Sequence, residues 1–250
     1  MARWQQRGAL WLLEPTGSAR GTLAFIGGSY LAASPQLSYR RLLEALAVRG
    51  WRIQAWSYVP GFDHQAQANE AWRAFRVRGA ASAGSTSEPT LRLGHSLGCK
   101  LHLLAPDGGR GCDGLVALSF NNFSAERSVP LLAELGQQLN FRSEFSPSPQ
   151  DTLEQVSRSY SQPRNLLVRF SRDGIDQSRR LLGVLQQRPG DGSELLELPG
   201  DHLAPASGGL RRQLLGAWAD DPQRVRVIEQ LADAIGRWGE AAPPVGQTRS

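Results

Sequence analysis

The strongest constraint on this 250-residue chain is the order in which two kinds of periodicity follow one another. Apolar runs of strand length recur at Leu10–Glu14, Thr22–Ile26, Trp51–Tyr58, Leu91–Leu93, Leu115–Phe120, Leu166–Phe170 and Glu194–Leu198. Between most of them lie amphipathic stretches of helical period. In the clearest, Tyr39, Leu42, Leu43 and Leu46 fall at i, i+3, i+4 and i+7. Ser34 and Pro35 mark its start and Gly50 follows its end. Strands alternating with helices predict a mainly parallel sheet covered by helices on both faces, because a parallel connection must cross over the sheet. The chain is long enough for one such α/β domain over residues 1–240. Residues 241–250, with Pro243, Pro244 and Gly246, read as a flexible tail.

Further along, Asp63 is placed to cap a helix from His64 to about Arg78, with His64 its exposed neighbour. Gly79 to Thr90 reads as a flexible surface loop. The alternation pauses at residues 121–163, where helical stretches at Val129–Leu139 and Asp151–Tyr160 suggest a small cap insertion over one edge. After it come a helix over Gln177–Gln187 and a last amphipathic helix over Gln223–Trp238, through Val227, Ile228, Leu231 and Ile235.

Composition removes several function classes. Hydrophobic residues make up 40% and charged residues 20%, which excludes wholesale disorder. The longest near-apolar stretch, Leu23–Ala33, is broken by Gly27, Gly28 and Ser29 and is too short for an integral membrane span. The net charge of +5 is almost all arginine, Lys100 being the sole lysine, and the arginines are scattered; no nucleic-acid partner is expected. Cys99 and Cys112 are too few for a disulfide framework or a zinc site and read as buried, reduced thiols. No small-residue cleavage site follows the basic N-terminus, so the expectation is a soluble, cytoplasmic protein. The sequence leaves its oligomeric state open.

Gly94-His95-Ser96-Leu97-Gly98 matches G-x-S-x-G. The pattern is weak alone, but here it follows one expected strand and opens one expected helix, where a nucleophile elbow sits. Such a turn brings its flanks close enough to require glycine and aims helix N–H groups at the serine oxygen. A serine hydroxyl needs a base, and the base needs an orienting carboxylate. Of the four histidines, His95 lies inside the elbow pointing away from the serine, His102 is carried back into the fold, and His64 begins an earlier helix. His202, in Pro199-Gly200-Asp201-His202, follows the last expected strand at the edge of the sheet where the elbow lies. Asp173, in the turn after Leu166–Phe170, is the favoured acid; Asp176, its competitor, is better placed to cap the next helix. The chain order Ser96, Asp173, His202 is that of the α/β-hydrolase triad. Leu97 and either Gly28 or Ser29 are the candidate oxyanion donors. Asn121, Asn122 and Arg127 are candidate substrate-binding residues, though the two asparagines equally suit a turn. No metal or organic cofactor is implied.

The chain resembles the α/β-hydrolases and, more narrowly, an uncharacterised domain-of-unknown-function family from photosynthetic organisms. The likeness runs from about Leu12 to Ile235. It rests on Phe25-Ile26-Gly27-Gly28, Phe62-Asp63-His64, Gly94–Lys100, Ser119-Phe120-Asn121-Asn122 and Pro199-Gly200-Asp201-His202. One departure is Cys99, where many relatives carry another glycine, which bears on helix packing beside the nucleophile. The resemblance implies the fold and triad but brings no substrate. The expected function is a serine hydrolase acting on an ester, thioester or lipid. The alternatives are acyl transfer to an acceptor other than water, and a non-catalytic binding or assembly module that keeps the fold.

Overall fold

All seven runs read as strands form strands, and a short one precedes them. In chain order they are β1 (Gln5–Arg7), β2 (Leu10–Leu13), β3 (Gly21–Ile26), β4 (Trp51–Trp56), β5 (Thr90–His95), β6 (Gly114–Leu118), β7 (Asn165–Phe170) and β8 (Glu194–Leu198). The helices are α1 (Pro35–Ser38), α2 (Arg40–Val48), α3 (His64–Ala81), α4 (Leu97–Leu103), α5 (Pro149–Ser159), α6 (Ser178–Leu185) and α7 (Pro222–Glu240). This computed structural model describes residues 3–81, 88–124, 144–206 and 222–241. Among these, no helix is long and apolar enough to cross a membrane.

The strands form one eight-stranded sheet in the order β1-β2-β4-β3-β5-β6-β7-β8. β1 and β2 are antiparallel and the rest are parallel. β1 escaped the sequence reading because all three of its residues are exposed and leave no apolar signal. The central strands sort their side chains with period two. Leu91, Leu93, Val116, Leu118, Leu166 and Val168 pack with α2 and α7 on one face. Leu115, Ala117 and Leu167 pack with α4, α5 and α6 on the other, beside a cluster that brings in α3.

Two expectations change. The single helix expected before Gly50 breaks at Tyr39, whose φ of −119° and ψ of 18° separate α1 from α2. Its apolar face survives, since Tyr39, Leu42, Leu43 and Leu46 are all fully buried. The second helix of the expected cap is also no part of a cap. α5 is the crossover between β6 and β7, and Leu153, Val156 and Tyr160 pack into the core against Leu115 and Leu167. The remainder of that segment, with Val129–Leu139, lies outside the described residues, as do positions 82–87 of the expected loop and the tail from 242.

α4 lies unusually close to the sheet. A β-carbon at Gly98 would fall inside the van der Waals envelope of the Ile26 carbonyl on β3, whereas one at Gly183, within α6, would meet nothing within 4 Å. Two alanine substitutions should therefore act in opposite directions. Gly98→Ala should destabilise by about 1–3 kcal/mol through overpacking, lowering the melting temperature by about 2–4 °C per kcal/mol. Gly183→Ala should stabilise by about 0.5–1 kcal/mol through helix propensity. Thermal denaturation of both variants checks the pair.

Candidate active site

β5 ends at His95 and α4 begins at Leu97, so Ser96 makes the turn between them. Its φ of 54° and ψ of −119° lie where a residue with a β-carbon pays about 1–3 kcal/mol of strain. The surroundings enforce that geometry. The Ser96 N–H donates to the Leu118 carbonyl (2.9 Å) and its carbonyl accepts from Cys99 N–H (3.1 Å). A β-carbon at Gly94 would stand 2.6 Å from the Cys99 nitrogen. The departure at Cys99 is accommodated: its side chain is fully buried and Sγ–H donates to the Leu118 carbonyl at 3.3 Å.

The sheet supplies the partners. β3 lies between β4 and β5, so the chain leaving β3 crosses to one side while the chain leaving β5 crosses to the other. Such a reversal opens a crevice at the carboxyl ends of the strands. Asp173 follows β7 and His202 follows β8 at that same edge. His202 Nδ1 lies 2.8 Å from Asp173 Oδ2 and Nε2 lies 3.1 Å from Ser96 Oγ. The carboxylate can only accept, so Nδ1 carries the proton and Nε2 is left to accept from the serine.

The Asp173 carboxylate is buried, with Oδ1 accepting from Ile175 N–H at 3.0 Å. Burial pushes its pKa up. The His202 hydrogen bond and charge, with smaller help from the Ser119 hydroxyl and Ile175 N–H, outweigh that and hold it below the ordinary carboxylate range. Ser119 Oγ is buried and makes no hydrogen bond of ordinary geometry, so its help is polar proximity. Asp176 faces elsewhere, accepting from Ser178 N–H (3.2 Å) and Ser178 Oγ–H (2.6 Å) at the start of α6. Burial raises its pKa.

The glycine pair after β3 is explained by two close approaches. A β-carbon at Gly27 would lie 2.7 Å from the Tyr39 ring, and one at Gly28 would lie 3.0 Å from His95 Nδ1 and 3.1 Å from Ser96 Cβ. Gly28 thus reaches the nucleophile, but its N–H donates to Tyr39 Oη at 2.8 Å and is not turned to an oxyanion. Ser29 is the other residue expected as a donor after β3. It opens a 3-10 turn (Ser29–Leu31), so its N–H has no partner within that turn. Leu97 N–H stands at the start of α4 in the same condition.

The other candidates are placed as follows. Asn121 Oδ1 accepts from Phe123 N–H (3.3 Å) in a local turn, and Asn122 Nδ2–H donates to the Pro149 carbonyl (2.8 Å) at the start of α5. Arg127 lies outside the described residues. Asp63 accepts from Ala66 N–H at 2.8 Å and caps α3. His64, expected to be exposed, is buried, with its ring 4.2 Å from that of Phe145. Burial, with Lys100 nearby, pushes its pKa down to about 3. Lys100 donates to the Pro147 carbonyl at 3.0 Å, and burial brings it down to about 8. His102 is buried and bonded to the Leu93 carbonyl at 3.3 Å. Among the described residues, no three His, Cys, Asp or Glu side chains gather where they could hold a metal ion. Tyr39 is what the sequence reading missed: counted as one more member of an apolar face, it brings a hydroxyl into the site.

A family described as "Protein of unknown function (DUF1350)" matches residues 3–224. No curated protein matches the sequence. Solved structures do resemble it. The Paleococcus ferrophilus monoacylglycerol lipase shares 17% identity at a TM-score of 0.58, over 92% of this chain and 98% of its own. A thermophilic esterase of Thermogutta terrifontis shares 16% at 0.56, over 97% and 96%. A Xanthomonas campestris protein, described as an α/β serine hydrolase without a lid, shares 14% at 0.55, over 97% and 96%. The chain has the α/β-hydrolase fold.

Three histidines are buried and neutral: burial pushes His64, His95 and His102 each down to about 3. A neutral native histidine that protonates on unfolding makes the unfolded state bind more protons, so stability rises with pH. Between about pH 6.5 and pH 3 each should contribute up to about 1.4 kcal/mol per pH unit. Urea unfolding followed from pH 7 to pH 5 should show a falling midpoint, with a shallower fall in His102→Gln.

Proposed function

We propose that this chain, which belongs to the DUF1350 family, is a serine hydrolase of acyl esters, thioesters or lipids. The observation that carries the reading is the unbroken chain from strained Ser96 through His202 to buried Asp173, at 3.1 and 2.8 Å. Ser96 Oγ attacks the substrate carbonyl as its proton passes to His202 Nε2. Asp173, held ionised, stabilises and orients the imidazolium. Leu97 N–H and Ser29 N–H receive the oxyanion, where one such donor is typically worth about a hundred- to a thousandfold in rate. His202 returns the proton to the leaving group, and water, activated by the same histidine, releases the acyl group from Ser96. Carboxylic-ester substrates fit the lipase and esterase that share the fold. The buried free thiols of Cys99 and Cys112 fit a reducing compartment such as the cytoplasm.

A fluorophosphonate probe should label wild-type protein at Ser96 by intact mass and peptide mapping, and neither Ser96→Ala nor His202→Ala should label. No labelling of folded wild type that admits the probe would favour the binding-module reading. On short nitrophenyl esters, Asp173→Asn should cut kcat by about a thousand- to ten-thousandfold through loss of the orienting carboxylate. Asp176→Asn should leave kcat nearly unchanged and stability little altered, since an asparagine oxygen accepts the same Ser178 N–H. Equal losses of kcat in the two would reassign the acid.

A further inference from the structure

Behind the serine lies a second hydrogen-bonded chain. Gly28 N–H donates to Tyr39 Oη at 2.8 Å, Tyr39 Oη lies 2.8 Å from His95 Nδ1, and His95 Nε2 lies 2.9 Å from the backbone carbonyl of His202. Tyr39 and His95 are buried, and the His95 and His202 rings lie 5.0 Å apart. The chain thus joins the loop after β3, the elbow, and the loop that carries the base.

Counting protons gives it one direction. The His202 carbonyl can only accept, so His95 Nε2 carries a hydrogen. Gly28 N–H can only donate, so the Tyr39 oxygen accepts from it and directs its own hydrogen to His95 Nδ1. Every donor and acceptor is then used when His95 is neutral. A second proton, on Nδ1, would face the Tyr39 hydroxyl and leave its hydrogen without an acceptor. Burial also opposes that charge. With the other neutral tautomer, a bare Nε2 would face the His202 carbonyl, lone pair against lone pair.

We infer that Tyr39 and His95 are positioning residues: the His202 carbonyl sets the His95 tautomer, the Tyr39 hydroxyl bonds the Nδ1 that this leaves bare, and His95 so anchored holds the His202 backbone so that its imidazole reaches both Ser96 and Asp173. The same hydroxyl fixes Gly28, and through it the turn at Ser29. A neutral His95 also places no second positive charge beside the imidazolium that forms on His202. This role rests on the serine-hydrolase reading, but the tautomer on which it depends can be observed without any activity.

The test combines kinetics with imidazole nitrogen NMR at pH 7 on the full chain. Tyr39→Phe keeps the ring packing and removes the hydroxyl. His95→Gln keeps an acceptor and a donor at nearly the spacing of the two ring nitrogens, and His95→Leu keeps neither. Tyr39→Phe and His95→Leu should lower kcat and the rate of fluorophosphonate labelling by about ten- to a hundredfold, the usual scale for groups that orient a functional residue. KM should change little, because uniform binding is untouched. His95→Gln should recover much of the loss, a rescue that general core packing would not give. Wild-type His95 should appear as the Nε2–H tautomer, as its bond to the His202 carbonyl requires. Wild-type rates in folded Tyr39→Phe and His95→Leu, or no rescue by His95→Gln, would overturn the role. A wild-type His95 found protonated on Nδ1 would overturn it whether or not Ser96 labels. Failure of the wild type to label, with the Nε2–H tautomer present, would count against the hydrolase reading and leave the relay geometry standing.

Discussion

The site depends on how tightly α4 is pressed onto β3 and β5. Gly98 meets the Ile26 carbonyl and Gly94 meets the Cys99 backbone, with no room for a side chain at either. That approach forces the backbone at Ser96 into a region that serine normally avoids. A relaxed turn would let the hydroxyl fold back toward the helix. The tight one presents it at the carboxyl edge of the sheet, where the loops after β3, β7 and β8 converge. The strain is local and small beside what the surrounding core supplies: each buried Leu or Phe is worth about 1.5–3 kcal/mol, and both faces of the sheet are lined with them.

Around that serine, hydrogen bonding is settled by which atoms can only donate or only accept. Asp173 fixes the proton on His202 Nδ1 from one side. On the other side, the His202 carbonyl fixes the proton on His95 Nε2, and the Tyr39 hydroxyl, itself accepting from Gly28 N–H, bonds the bare Nδ1. The two imidazoles are held by similar logic from opposite ends. It also explains why two glycines follow β3: Gly27 makes room for the Tyr39 ring, and Gly28 makes room for His95 and Ser96.

Much of this was legible in the sequence. Apolar runs of strand length located β2 to β8 among the described residues, and Ser96, Asp173 and His202 each follow a strand at its carboxyl end. Of the four histidines, His202 is the one whose ring lies within hydrogen-bond distance of Ser96, while His64, His95 and His102 are buried. What could not be read follows a pattern. β1 carries no apolar signal because it is exposed on both faces. α5 reads as part of a cap because the long interval before it hides that its leucine and valine face the sheet. His64 was expected outside because a residue next to a helix cap usually is; here Phe145, far along the chain, covers it. The periodicity speaks for the Tyr39 ring and not its hydroxyl, whose partner His95 lies 56 residues away in the chain. That the Gly28 N–H is taken by the Tyr39 hydroxyl was likewise not to be read from the sequence.

The most direct measurement is to quench the protein within the first turnover of a short-chain nitrophenyl ester and weigh it intact, then map the modified peptide. One acyl group on Ser96, formed in step with a stoichiometric burst of nitrophenol, is the expected result. Turnover with no acyl-protein, or an acyl group on any other residue, would contradict a covalent mechanism through Ser96.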